Sequence, residues 1–168
     1  MISKSFLAGA VVAAGLVFSS AANAELIDFR LTWSGESNGN NATATGMITI
    51  DDAVLPNPGD ETEGAPAEVL GITAFSITVS GASSGNGMFT LYDVLFFFIW
   101  RTDGVALDLS QELVGQPTTN GVWGTSDGLS GDFNICPISG SGAPDCREPF
   151  EIVTNDRTGD SLLLTSFA

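Results

Sequence analysis

The chain has 168 residues, with 20 acidic side chains against 5 basic ones and no histidine. Such an acidic balance excludes nucleic acid and anionic lipid as partners, because both are held by Lys and Arg on phosphates. The missing histidine excludes Ser-His-Asp and Cys-His catalysis, His-ligated zinc and a histidine pH switch.

The first element is a leader. Lys4 supplies a positive start, 6–18 an apolar run, and Ala22-Asn23-Ala24 a small-residue exit, the pattern of a secretory signal peptide over 1–24 that is cut after Ala24. The apolar run is too short to span a bilayer, which needs ~20 residues. The expectation is a secreted or periplasmic protein with one domain, residues 25–168. The only lysine leaves with the leader, and Arg30, Arg101, Arg147 and Arg157 remain as the cations.

Residues 26–34 alternate Ile27, Phe29, Leu31 and Trp33 with polar side chains, which predicts a strand with one buried face. After a polar turn the pattern resumes over 43–50 with threonines outward, so the two strands are expected to pair as a hairpin. Residues 51–68 carry six acids among prolines and fit neither period, and read as a long acidic loop. Strands are expected over 72–80, 88–93 and 105–109, and a single helical turn over 110–114. The run 94–100, Val-Leu-Phe-Phe-Phe-Ile-Trp, has apolar residues of both parities. It fits a central strand covered on both faces, with a subunit or assembly surface as the other reading. Segment 115–131 reads as a loop, 133–136 as a strand, and 150–154 with 161–167 as a hairpin closed by the turn 155–160. The sum is an all-β chain of about eight or nine short strands, a single antiparallel β-sandwich or jelly-roll-like domain. An outer-membrane barrel is set aside because its strands need ~9–11 residues with an apolar outer face.

Two cysteines, Cys136 and Cys146, frame a short loop. In an exported chain they are expected to form a disulfide, which stabilises by roughly 2–3 kcal/mol. Acid-rich loops are candidate calcium sites, since calcium takes six to eight oxygen ligands. Asp51, Asp52, Asp60, Glu61 and Glu63 form the main cluster, with Asp127/Asp132 and Asp156/Asp160 as smaller ones. Apart from such calcium, no cofactor is expected. Of the candidate sugar-stacking aromatics Trp33, Tyr92, Trp100 and Trp123, the first and third sit in core patterns. Trp123, between Val122 and Gly124 in a loop, is the one expected to be exposed as a ligand platform. Two carboxylates ~5–10 Å apart could serve glycoside hydrolysis. Nothing selects a pair among the acids, so the chain reads as a non-enzyme.

The leader, the segment Thr-Ala-Thr-Gly-Met-Ile-Thr-Ile-Asp-Asp (43–52), the segment Ile-Thr-Ala-Phe-Ser-Ile-Thr-Val-Ser-Gly (72–81) and Leu-Asp-Leu-Ser-Gln-Glu-Leu-Val-Gly (107–115) resemble exported bacterial proteins of the PEP-CTERM type. The family's sorting tail (Pro-Glu-Pro, an apolar helix and a basic end) is absent from this sequence. The resemblance implies an extracellular or surface-associated protein connected with exopolysaccharide, without sorting-enzyme anchoring. The expected role is therefore a non-enzymatic extracellular or envelope protein with a structural or matrix-association function, contacting polysaccharide or itself. The alternative is a carbohydrate-binding module that uses Trp123, assisted by calcium.

Overall fold

The computed structural model describes residues 24–91, 96–124, 130–137, 151–154 and 159–168. The leader up to residue 23, Tyr92, Asp127, Cys146 and the turn residues 155–158 lie outside the described residues, and Glu61 and Glu63 are described for their backbone alone.

Alternation sets the first hairpin. In β1 (Leu26–Ser34) Phe29, Leu31 and Trp33 are buried while Asp28 and Arg30 are exposed, the period of two that a one-sided strand dictates. β2 (Thr43–Asp51) runs antiparallel to it with Phe29 opposite Ile48 and Trp33 opposite Ala44, so the apolar residues of both strands share one face. Gly46 has a packing reason: a Cβ there would lie 3.2 Å from the Trp33 ring and 3.0 Å from the Ser76 carbonyl. The indole occupies the space that a side chain would take.

β4 (Ile72–Ser80) pairs with β2, and β5 (Gly87–Thr90) with β4. On the other side β9 (Ser161–Phe167) pairs with β1 and β8 (Glu151–Val153) with β9. These form a six-stranded antiparallel sheet in the order β5-β4-β2-β1-β9-β8. A second sheet holds β3 (Asp60–Pro66), β6 (Phe96–Arg101) and β7 (Asp132–Pro137) in the order β3-β6-β7. The inner faces meet through aromatic rings set edge to face. Phe75 of β4 lies 5.4 Å from Phe98 of β6, and Phe167 of β9 lies 5.0 Å from Phe133 of β7. The result is the expected all-β antiparallel sandwich around one hydrophobic core.

The described part of the apolar run 94–100 is central. β6 lies between β3 and β7, with Phe98, Ile99 and Trp100 at 0, 5 and 1 % exposure. For Phe98, Ile99 and Trp100 the reading as an assembly surface is thereby set aside. The long acidic loop is also corrected: Asp60–Pro66 is a strand and Ala67–Leu70 a 3-10 turn. Its alternation is invisible because the register shifts between Glu61 and Ala65 and, among its described side chains, Ala65 alone enters the core. Its charges suit an outer strand, where they discourage pairing with another chain. Residues 105–109 alternate yet form no strand. The Asn57 side chain instead accepts from Leu107 N–H at 2.8 Å and donates to Leu107 C=O at 2.8 Å, supplying for one residue what a ladder supplies for many.

Candidate functional site

The residues singled out by sequence scatter. Trp123 is buried, at 0 % exposure, which corrects the expectation of an exposed ligand platform. Its loop folds back as a small bridge between Pro117 and Val122, with Trp123 N–H donating to Gln116 C=O at 2.8 Å. The indole packs 5.4 Å from Trp100 and 5.8 Å from Phe167, and Nε1 donates to Arg101 C=O at 2.8 Å. Both ring faces serve the core, so no sugar can stack on it. Trp33 and Trp100 are core residues as their patterns indicate.

Asp51, the last residue of β2, accepts from Ala53 N–H through Oδ1, and Asp52, first in the turn that follows, accepts from Glu25 N–H through Oδ1. Asp60 opens β3 in the other sheet, opposite Arg101. Among the described residues no three His, Cys, Asp or Glu side chains gather as a metal ion requires. Of the smaller acid pairs, Asp132 is buried on β7, and Asp160 accepts a hydrogen bond from Ser83 N–H that holds its carboxyl below the ordinary value. Cys136 is buried on β7; its expected partner Cys146 lies outside the described residues.

What the fold does bring together is the outer face of the six-stranded sheet. Neighbouring strands lie ~4.8 Å apart and side chains on one face recur every second residue, so cross-strand register turns isolated polar residues into rows. One row is Thr32, Thr45 and Thr78; the next is Arg30, Met47 and Ser76; a third begins with Asp28 and Thr49. The first row is extended by the Thr165 hydroxyl, 3.0 Å from that of Thr32. Between the first two rows lies a shallow open hollow of about 300 Å³ lined by Arg30, Thr45, Gly46, Met47, Ser76 and Thr78. Gly46 lines it through its backbone alone, since its own Cβ position faces the Trp33 ring in the core. The nearest acid along β1, Asp28, is engaged by the Thr49 hydroxyl at 2.6 Å.

The hollow offers hydroxyls that donate and accept, one guanidinium, and a half-exposed thioether as an apolar floor. That set can grip a polyhydroxylated chain by hydrogen bonds. It holds no nucleophile–base pair and no paired carboxylates. Sequence parity already places threonines outward on β2. The rows need the pairing of β1, β2 and β4, which no single segment encodes. No family model, curated protein or solved structure matches the chain.

Proposed function

We propose that this chain is an exported, non-enzymatic extracellular or envelope protein with a matrix-association role, and that it contacts neutral polysaccharide through the outer face of the six-stranded sheet. The observation that carries the reading is the hydroxyl row across β1, β2 and β4 beside the Arg30–Met47 hollow. A polysaccharide presents closely spaced hydroxyls, and a rigid sheet that repeats hydroxyls at strand spacing meets them with donors and acceptors already ordered, which lowers the entropic cost of binding. A leader of secretory pattern supports export to where such polymers are, and a Cys136–Cys146 disulfide would suit the same oxidising compartment.

The test is retention of oxidised 25–168 on insoluble neutral polysaccharides, with calcium and then with chelator. The variant Thr45→Val/Thr78→Val keeps shape and strand preference while removing two hydroxyls. Each net hydrogen bond contributes about 0.5–1.5 kcal/mol, so losing two should lower affinity roughly 5- to 150-fold. Absence of retention, or equal retention by the variant, would reject the face as a polymer site. Loss of retention in chelator alone would place calcium between protein and polymer.

A further inference from the structure

From Val69 to Tyr92 the sequence carries no charged residue, although 15 % of the chain is charged and its formal net charge is −15. That run contains the β4–β5 hairpin, and β5 is the outermost strand at one side of the six-stranded sheet. The other outer strands are guarded. β8 carries Glu151, β3 carries Asp60, Glu61, Glu63 and Pro66, and β7 carries Asp132 and Pro137. Charges and prolines are how outer strands avoid pairing with another chain. β5, Gly-Met-Phe-Thr, has neither.

The hairpin is also held in shape. Asn86 accepts from Ala82 N–H at 2.9 Å and donates to Ala82 C=O at 2.7 Å, and Ser83 N–H is tied to the Asp160 carboxylate. Leu91 N–H donates to Phe75 C=O at 3.2 Å, which fixes the phase of the ladder. Bonded pairs alternate along antiparallel strands, so Phe89 and Gly87 bond to β4 while the Met88 N–H and C=O point out of the sheet. The Met88 side chain is 68 % exposed, the highest value among the exposed large apolar residues.

We infer that the β5 edge is a self-association surface, at which a second copy of this chain pairs its own β5 antiparallel with the first. The occupant follows from charge. A two-fold contact sets a patch against its own image, so any carboxylate in it would face a carboxylate. In so acidic a chain, self-contact favours an edge without charge of its own, and β5 supplies one, the Asp160 carboxylate lying at the hairpin turn and not along the strand. Repulsion between the remaining charges opposes the pair, which makes it weak at low salt and tighter at high salt.

Sedimentation velocity of the exported protein over about a hundredfold concentration range reads this directly. The monomer should give way to a dimer as concentration rises. The dimer should tighten between 0.1 and 1 M salt, where the Debye length shrinks from ~10 to ~3 Å. Met88→Glu and Met88→Lys, at a site exposed enough to keep the fold, should each raise the dissociation constant at least about a hundredfold, because either places like charges face to face. Three results would overturn the inference: a wild type monomeric at every concentration and salt, a dimer surviving in both variants, or dissociation in Met88→Glu alone, which would show that net charge and not the edge governs association. Thr45→Val, on β2 and two strands away from β5, should dimerise like the wild type while weakening polysaccharide retention, so the two results stand or fall apart.

Discussion

Replacing Trp123 by alanine separates a core residue from a ligand platform. The indole is at 0 % exposure and touches Trp100 and Phe167, while its Nε1 donates to Arg101 C=O. A buried tryptophan removes about 150–250 Å² from water, which at ~25 cal/mol per Å² amounts to about 4–6 kcal/mol as an upper figure. Large-to-small substitutions in cores cost about 3–5 kcal/mol, and that is the expected loss for Trp123→Ala. With a urea dependence of about 2 kcal/mol per molar, the unfolding midpoint should fall by roughly 2 M at unchanged slope. Far-UV circular dichroism is the suitable probe, because the substitution removes a fluorophore. The folded variant, assayed well below its midpoint, should retain polysaccharide as the wild type does. A midpoint shift under about 0.5 M, together with lost retention in folded protein, would show that the indole meets ligand and would refute this account.

Acid stability should depend on Glu112. Partial burial opposes its carboxylate, but hydrogen bonds from the Ser166 hydroxyl and from the Phe167, Val114 and Leu113 amides outweigh that and hold its pKa below the ordinary 4.5. A depressed folded-state pKa contributes stability above the unfolded value, and that contribution is lost as pH falls through the folded value. Glu112→Gln should therefore lower the melting temperature at neutral pH, and the gap to wild type should narrow as pH falls below the ordinary value and through the lower folded one. A gap constant with pH would remove the carboxylate from the account. Gly131 has φ +122°, and a Cβ there would lie 2.6 Å from Arg101 C=O and 2.6 Å from Trp123 Cδ1. Gly131→Ala should cost at least ~2 kcal/mol in chemical denaturation, from strain and overpacking together.

How much was legible in sequence follows from how local each signal is. The β1–β2 hairpin could be read because Phe29, Leu31 and Trp33 and their partners Ile48 and Ala44 repeat every second residue on a face that stays buried along its length. The central place of β6 could be read because a strand covered on both sides shows no polar parity. β3 could not, since Ala65 alone among its described side chains enters the core and a register shift breaks its phase. Trp123 misled for a different reason. Its neighbourhood of Gly, Thr and Asn is that of a loop, and the contacts that bury it come from Trp100 and Phe167, far away in the chain. Residues 105–109 misled in the opposite sense, because the Asn57 side chain stands in for a neighbouring strand. The hydroxyl face lay between these cases: its parity was local, and its rows depended on three strands in register.

The pairing of β1 with β9 also governs the order of assembly. Arg30 exchanges two backbone hydrogen bonds with Ala168, at 2.6 and 3.0 Å, and Leu31 lies opposite Phe167, so the sheet closes between segments more than a hundred residues apart. Contacts of that separation form late, because the intervening loop must be ordered before they contribute. A chain emerging from its first residue onward can build β1–β2–β4 early, yet until 161–168 arrive, the free side of β1 remains an open template beside Leu31 and Trp33. Truncated copies keep that template for good, and they are the species expected to aggregate or be degraded. The six-stranded sheet is therefore complete only once β9 has been made, however early its β1–β2–β4 part has formed.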